Sequence, residues 1–170
     1  MKPKNHLILL VLLFCSFLDL RAQIIPEFND KPAFYDSKTK ALVELEKSQY
    51  NTMAKAKSLF KAEAGFYLNG SSSPVKIEKQ QELSFIVKVQ PGTDPTSVFD
   101  LVQFDVKNDK RVFITSKATV AGSSNSFTKI DYQVKKIKEG VYYLIVTNLQ
   151  AGEYFFGSND FMFAFSIKGS

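Results

Sequence analysis

Apolar and polar positions alternate with a period of two through most of the chain beyond residue 64, and the clearest case is near its end. Phe161, Phe163, Phe165 and Ile167 alternate with Met162, Ala164 and Ser166, which predicts a strand with its aromatic set on the core face. Upstream, the continuous apolar run 141–146 reads as a strand buried on at least one face. Further strands are predicted over 66–68, 75–77, 83–89, 98–106, 111–120 and 127–137. Within the last of these, Ile130, Tyr132 and Val134 alternate with Lys129, Asp131, Gln133 and Lys135, the mark of a half-buried strand. The breaks carry turn chemistry: Asn69-Gly70 followed by three serines and Pro74, Pro91-Gly92, Asn108-Asp109, and Gly122 with its polar neighbours. Many short strands separated in this way indicate an antiparallel sandwich rather than parallel βαβ units.

One corner organises that reading. After the run 141–146 come Leu149, Gly152 and Tyr154, the L-x-x-G-x-Y order with which a β-sandwich crosses between its sheets. In such a corner the Leu plugs the core, the Gly takes a positive φ, and the Tyr hydroxyl returns to the preceding backbone. The fold class expected is therefore all-β, an antiparallel immunoglobulin-like β-sandwich with an N-terminal hairpin extension.

The N-terminal half is less periodic. Ala33-Phe34-Tyr35 and the apolar-rich 41–45 flank the polar 36–40, which predicts a hairpin with a five-residue loop. Residues 41–64 are ambiguous, since Leu42, Leu45, Met53, Ala56 and Phe60 roughly suit a helix and Lys, Glu and Ala favour one. With neither a cap nor a sustained i, i+3, i+4 stripe, strand is the preferred assignment. The organisation expected is a signal peptide over 1–22, an extended lead-in and hairpin over 23–48, and the sandwich over 49–170.

The signal peptide rests on Lys2 and Lys4, the apolar stretch 7–18, and Ala22 before Gln23. About a dozen apolar residues fall short of the roughly 18 needed to span a bilayer. Cys15 invites a lipoprotein reading, but Leu12-Leu13-Phe14 precede it where lipid attachment calls for a small residue. Cleavage removes the only His, His6, and the only Cys, and no Trp exists anywhere in the chain. Lys2, Lys4 and Arg21 leave together with Asp19, so the net charge falls from +5 to about +3. That balance is too mild to predict nucleic acid or an anionic membrane as a partner. The densest basic run, Lys135-Lys136-Ile137-Lys138, reads as a lysine-blunted sheet edge.

The segment Thr93-Asp94-Pro95-Thr96, the pair Lys110-Arg111, the corner L-Q-A-G-E-Y-F-F at 149–156, the terminal F-M-F-A-F at 161–165 and the leader ending in Ala22-Gln23 resemble a group of small secreted Bacteroidota proteins. The resemblance covers most of the chain from about Lys31. It implies an immunoglobulin-like sandwich in the cell envelope, and with no activity known for the group it assigns no functional residue.

The exclusions are sharper than the assignments. Without His and Cys, a Ser-His-Asp triad, a thiol nucleophile and the usual zinc and copper sites lack their ligands. Neither phosphate-cradling motif, G-x-x-x-x-G-K-[ST] or G-x-G-x-x-G, is present. Carboxylate or Ser-Lys chemistry remains open, as does calcium at Asp105, Asn108 and Asp109 or at Asn159 and Asp160, although these are ordinary turn formers outside any EF-hand spacing. Asn69-Gly70-Ser71 meets the glycosylation pattern but is also an Asn-Gly turn. Tyr35, Tyr50, Phe113 and Tyr142 are candidates for a sugar-stacking platform if exposed, and core residues otherwise. The expectation is a non-enzymatic envelope protein, exported to the periplasm, the outer membrane or beyond. It would need no cofactor, hold no catalytic or metal residue, lack a membrane span after cleavage, and present loops or an edge strand to another envelope protein. A glycan-binding module and a small carboxylate-dependent hydrolase are the alternatives.

Overall fold

The alternating segments pair into three sheets in a computed structural model that describes residues 24–125, 127–158 and 161–169. Among the described residues all strand pairings but one are antiparallel and the one helical element is a 3-10 turn at Pro95–Ser97, so this part of the chain is all-β. The predicted leader, 1–22, lies outside the described residues.

The first sheet has the order β12 (Gln133–Lys138), β13 (Val141–Thr147), β7 (Glu82–Lys88), β1 (Ala33–Asp36), β2 (Ala41–Glu44). The second runs β3 (Glu46–Ser48), β15 (Met162–Ile167), β14 (Gly152–Gly157), β8 (Asp100–Gln103), with the short β6 (Lys76–Ile77) parallel to the end of β15. The third runs β11 (Gly122–Asn125), β10 (Lys110–Thr119), β5 (Lys61–Asn69), β4 (Asn51–Ser58), and β9 (Asp105–Lys107) also pairs with β10.

The second sheet is the middle layer. Because successive side chains point to opposite faces, β14 sends Tyr154 and Phe156 one way and Glu153 and Phe155 the other. Tyr154, Phe156, Phe163, Phe165 and Ile167 join Phe34, Leu83, Phe85, Val87, Leu144 and Val146 of the first sheet in one core. Phe85 meets both Phe156 and Phe165 with ring centroids 5.0 Å apart. On the reverse face, Val102, Phe155, Met162 and Ala164 pack against Leu68 and Phe113 of the third sheet in a second core.

This middle position buries the terminal strand on both faces. Phe163, Phe165 and Ile167 face the first core, Met162 and Ala164 are buried under the third sheet, and Ser166 is buried against Glu153 and Ser73. The hairpin also differs from the expected extension. β1 pairs with β7 as well as with β2, so it is an internal strand of the first sheet. Its loop is four residues long, 37–40, with the Asp36 carboxylate accepting from the Lys38 amide at 2.9 Å. The ambiguous 41–64 is strand apart from short breaks. The chain leaves the first sheet at Leu45, joins the second as β3, then enters the third as β4. Helical composition yields here to ladder pairing.

Two predicted strands are divided by the same layer changes. The span 98–106 breaks at Phe104, whose amide donates to Glu153 O at 2.9 Å, and β8 and β9 fall in different sheets. Of the span 127–137, only the part from Gln133 is strand. Residues 127–132 pass along β8 instead, with the Ile130 amide donating to Leu101 O at 2.8 Å and the Tyr132 hydroxyl to Phe99 O at 2.7 Å. Ile130 and Tyr132 still pack on the first core, so the alternation records burial without a ladder. Burial and the nearby Asp100 and Asp94 push the Tyr132 phenol up to about 12, keeping it a neutral donor.

The corner works by a partly different device from the one expected. Leu149 is buried, and the Tyr154 hydroxyl donates to Gln150 O at 2.9 Å. Gly152, however, is not among the positive-φ residues, and Asn148 takes that conformation at φ 58°. Gly152 is needed for space, since a Cβ there would lie 2.8 Å from Gln103 Nε2 and 3.4 Å from the Tyr154 ring.

Candidate functional site

The residues singled out for chemistry are dispersed. Asn108 and Asp109 both have positive φ, at 51° and 55°, and form a two-residue hairpin turn between Lys107 and Lys110. The Asp105 carboxylate is engaged by Lys107 Nζ at 2.9 Å. Among the described residues no group of three or more His, Cys, Asp or Glu side chains is assembled. Asn159 and Asp160 lie outside the described residues. Tyr35 and Tyr142 belong to the first sheet, whereas Phe113 is buried in the third and Tyr50 packs edge-on against Phe66 at 4.5 Å. They do not share one exposed face. Lys135, Lys136 and Lys138 lie on β12, an end strand of the first sheet, and Lys136 pairs with Glu139.

A polar cluster that the sequence reading missed lies between the second and third sheets. Arg111, 2% exposed, places Nη1 and Nη2 at 2.5 and 2.8 Å from the two carboxylate oxygens of Glu46, while Nε and Nη2 donate to Gly70 O and Asn69 O. Burial by itself would raise the Glu46 carboxyl, but the Arg111 fork, with Ser73 and Ser48, holds it below its usual range. Beside it, buried Glu153 accepts from the Ser73 amide at 2.7 Å and from Ser166 Oγ at 2.6 Å, and Lys76 Nζ donates to Ser166 Oγ at 3.0 Å. Two carboxylates and a Ser-Lys contact thus come together, the raw material of the chemistry left open above. Ser166 is only 3% exposed, Glu46 is paired with Arg111, and Glu153 is held by the Ser73 amide and the Ser166 hydroxyl. The cluster fastens one sheet to another. Its sequence signal was faint: one Glu inside the G-E-Y-F-F run and one Ser inside F-A-F-S-I.

Several clefts open elsewhere, among them two bordered by the second sheet. One, about 510 Å³, lies where the second and third sheets part and is lined by Tyr50, Phe66, Phe113, Phe127 and Phe155, with the Lys129–Asp100 ion pair (2.8 Å) on its wall. The other, about 290 Å³, lies beside β2, between the lead-in (Ile25, Pro26, Phe28) and Leu42, Leu45 and Phe163. β2 is the last strand of the first sheet, so among the described residues its outer row of backbone groups has no ladder partner. Phe28 (50%) and Val43 (38%) are exposed along this margin. Glu27, Glu44, Lys31 and Lys47 rim the cleft. Glu27 and Glu44 are exposed to solvent.

No protein-family model, curated protein or solved structure matches this chain. Among the described residues no helix is long and apolar enough to cross a membrane.

Proposed function

We propose that the chain is a secreted, non-enzymatic module of the cell envelope, built on an immunoglobulin-like core, that docks an extended segment of another envelope protein along β2. Support for the core comes from strand order. β1-β7-β13-β12 and β15-β14-β8 follow the A-B-E-D and G-F-C orders of the constant-type immunoglobulin sandwich, with the tyrosine corner between the strands equivalent to E and F. On that reading the third sheet is built from insertions between A and B and between C and D.

The observation that carries the docking is the unpaired edge of β2 beside an apolar cleft. Strand addition takes its affinity from such an edge and its specificity from a neighbouring pocket that receives alternate side chains. The test is a photoactivatable phenylalanine analogue in place of Val43, irradiated in the native envelope, with the same analogue in place of Lys79 as the control. A discrete adduct from position 43 alone is the expected result. Equal adducts from both positions, or none, would remove the edge as the docking site.

A further inference from the structure

The third sheet extends beyond the layer that buries it. Leu68, Val112 and Phe113 anchor its inner half, whereas β4 beyond Met53, the start of β5 and the end of β10 are exposed or nearly so. Register brings the β4–β5 and β10–β11 turns to the same end, because Lys61 lies opposite both Ser58 and Thr119. These two turns hold Leu59, Phe60, Val120 and Ala121, and the three large side chains among them are exposed by 95%, 64% and 80%. Single exposed apolar residues are ordinary, but three at one point call for an explanation. Nothing in the turn geometry demands them, as Asn, Asp or Gly serve tight hairpins better.

The flanking charge is predominantly positive. Lys55 and Lys117 both lie opposite Glu63 in the ladder, and Lys57 reaches its carboxylate at 3.1 Å. Register and the period of two put Lys55, Lys61 and Lys117 on one face of the projecting sheet with a single acid, Glu63, and Lys57, at the irregularity between Ala56 and Ser58, joins them through its ion pair with that acid. At about 3.3 Å of rise per residue, these lysines sit from one to a few residues behind the tip, roughly 3–14 Å.

We infer that this projection is a membrane-surface probe, whose Leu59, Phe60 and Val120 enter the interface of an anionic phospholipid bilayer while its lysines meet the headgroup phosphates. The spacing suits that occupant. An interfacial element buries its apolar side about 5–10 Å into the headgroup and acyl boundary, and juxtamembrane lysines gain from the surface potential within about a Debye length. A protein partner fits less well, since a stable interface takes about 800 Å² per side and is depleted in lysine. The inference stands apart from the β2 docking edge, which is on another sheet, and either can fail alone.

Because the chain has no Trp, Phe60→Trp supplies a clean optical probe, with Val106→Trp as an exposed control on β9. Mixed with vesicles of phosphatidylcholine and phosphatidylglycerol, the purified Phe60→Trp protein should show blue-shifted emission quenched by brominated acyl chains. The Val106→Trp protein should not. In cosedimentation, Leu59→Ser with Phe60→Ser should weaken binding by at least about tenfold, and each of Lys55→Gln and Lys117→Gln by about fivefold in low salt. Unchanged thermal unfolding would separate these losses from misfolding. No emission shift, equal binding to phosphatidylcholine alone, or self-association abolished by the tip substitutions would overturn the inference, the last in favour of a second copy as the occupant.

Discussion

The middle sheet and the projecting half of the third sheet are made by the same antiparallel pairing from opposite compositions. β14 and β15 place Phe155, Phe156, Phe163 and Phe165 under cover on both faces, each no more than 3% exposed. The projection alternates lysine with alanine, serine and threonine and covers neither face. Backbone ladders form in both, so pairing alone does not distinguish the part that holds the fold from the part that reaches outward. Burial does. The middle strands are paired with a neighbour above and below, whereas the projection is held by hydrogen bonds continued from a buried root at Leu68 and Phe113.

The largest test of this contrast sets one residue from each region side by side. Phe156→Ala empties a position with no exposure, between Phe85 and Tyr132, and should cost about 3–5 kcal/mol in denaturant melts. Leu59→Ser should stay within about 0.5 kcal/mol of the parent. A large loss at Leu59 would mean that the tip is packed against something in the folded chain, and the contrast between the regions would collapse.

The joint between the regions can be tested through its ion pair. Arg111→Met leaves Glu46 without its fork and should cost about 1.5–3 kcal/mol, while adding Glu46→Leu should recover much of the loss. The pair also predicts the acid response. Since the folded Glu46 carboxyl lies below its usual value of 4.5, its contribution is complete above that value and is lost as pH falls through the lower folded value. Melts of the parent should therefore lose more stability on acidification than melts of Glu46→Gln. Parallel curves would show that the contact does not join the sheets.

The smallest effects concern the corner. Tyr154→Phe removes one hydrogen bond and should cost about 1 kcal/mol. Gly152→Ala should cost about as much through its contact with Gln103, and Gln103→Ala in the same chain should relieve it. Failure of that relief would return the glycine requirement to its backbone.

Much of this architecture was legible as strands, because a period of two is written locally and survives without context. The corner was readable in part: Tyr154 behaves as its motif implies, but whether Gly152 serves φ or space depends on Gln103, some 50 positions away. At Phe163 and Ala164 the alternation separated two faces correctly yet said nothing of a third sheet waiting for the second face. Along 127–132 it reported burial and was silent on the absence of a ladder.

The all-β class and most strand positions were readable from local pattern, since these follow from neighbours two residues apart. Tertiary structure alone decided that the sheets number three, that Arg111 and Glu46 meet, and that Leu59, Phe60 and Val120 gather at one tip beside four lysines. A net charge summed over the chain averages that gathering away. Such features depend on register between segments 40 to 90 residues apart, where no local periodicity carries information and pairing is chosen by the burial of everything else.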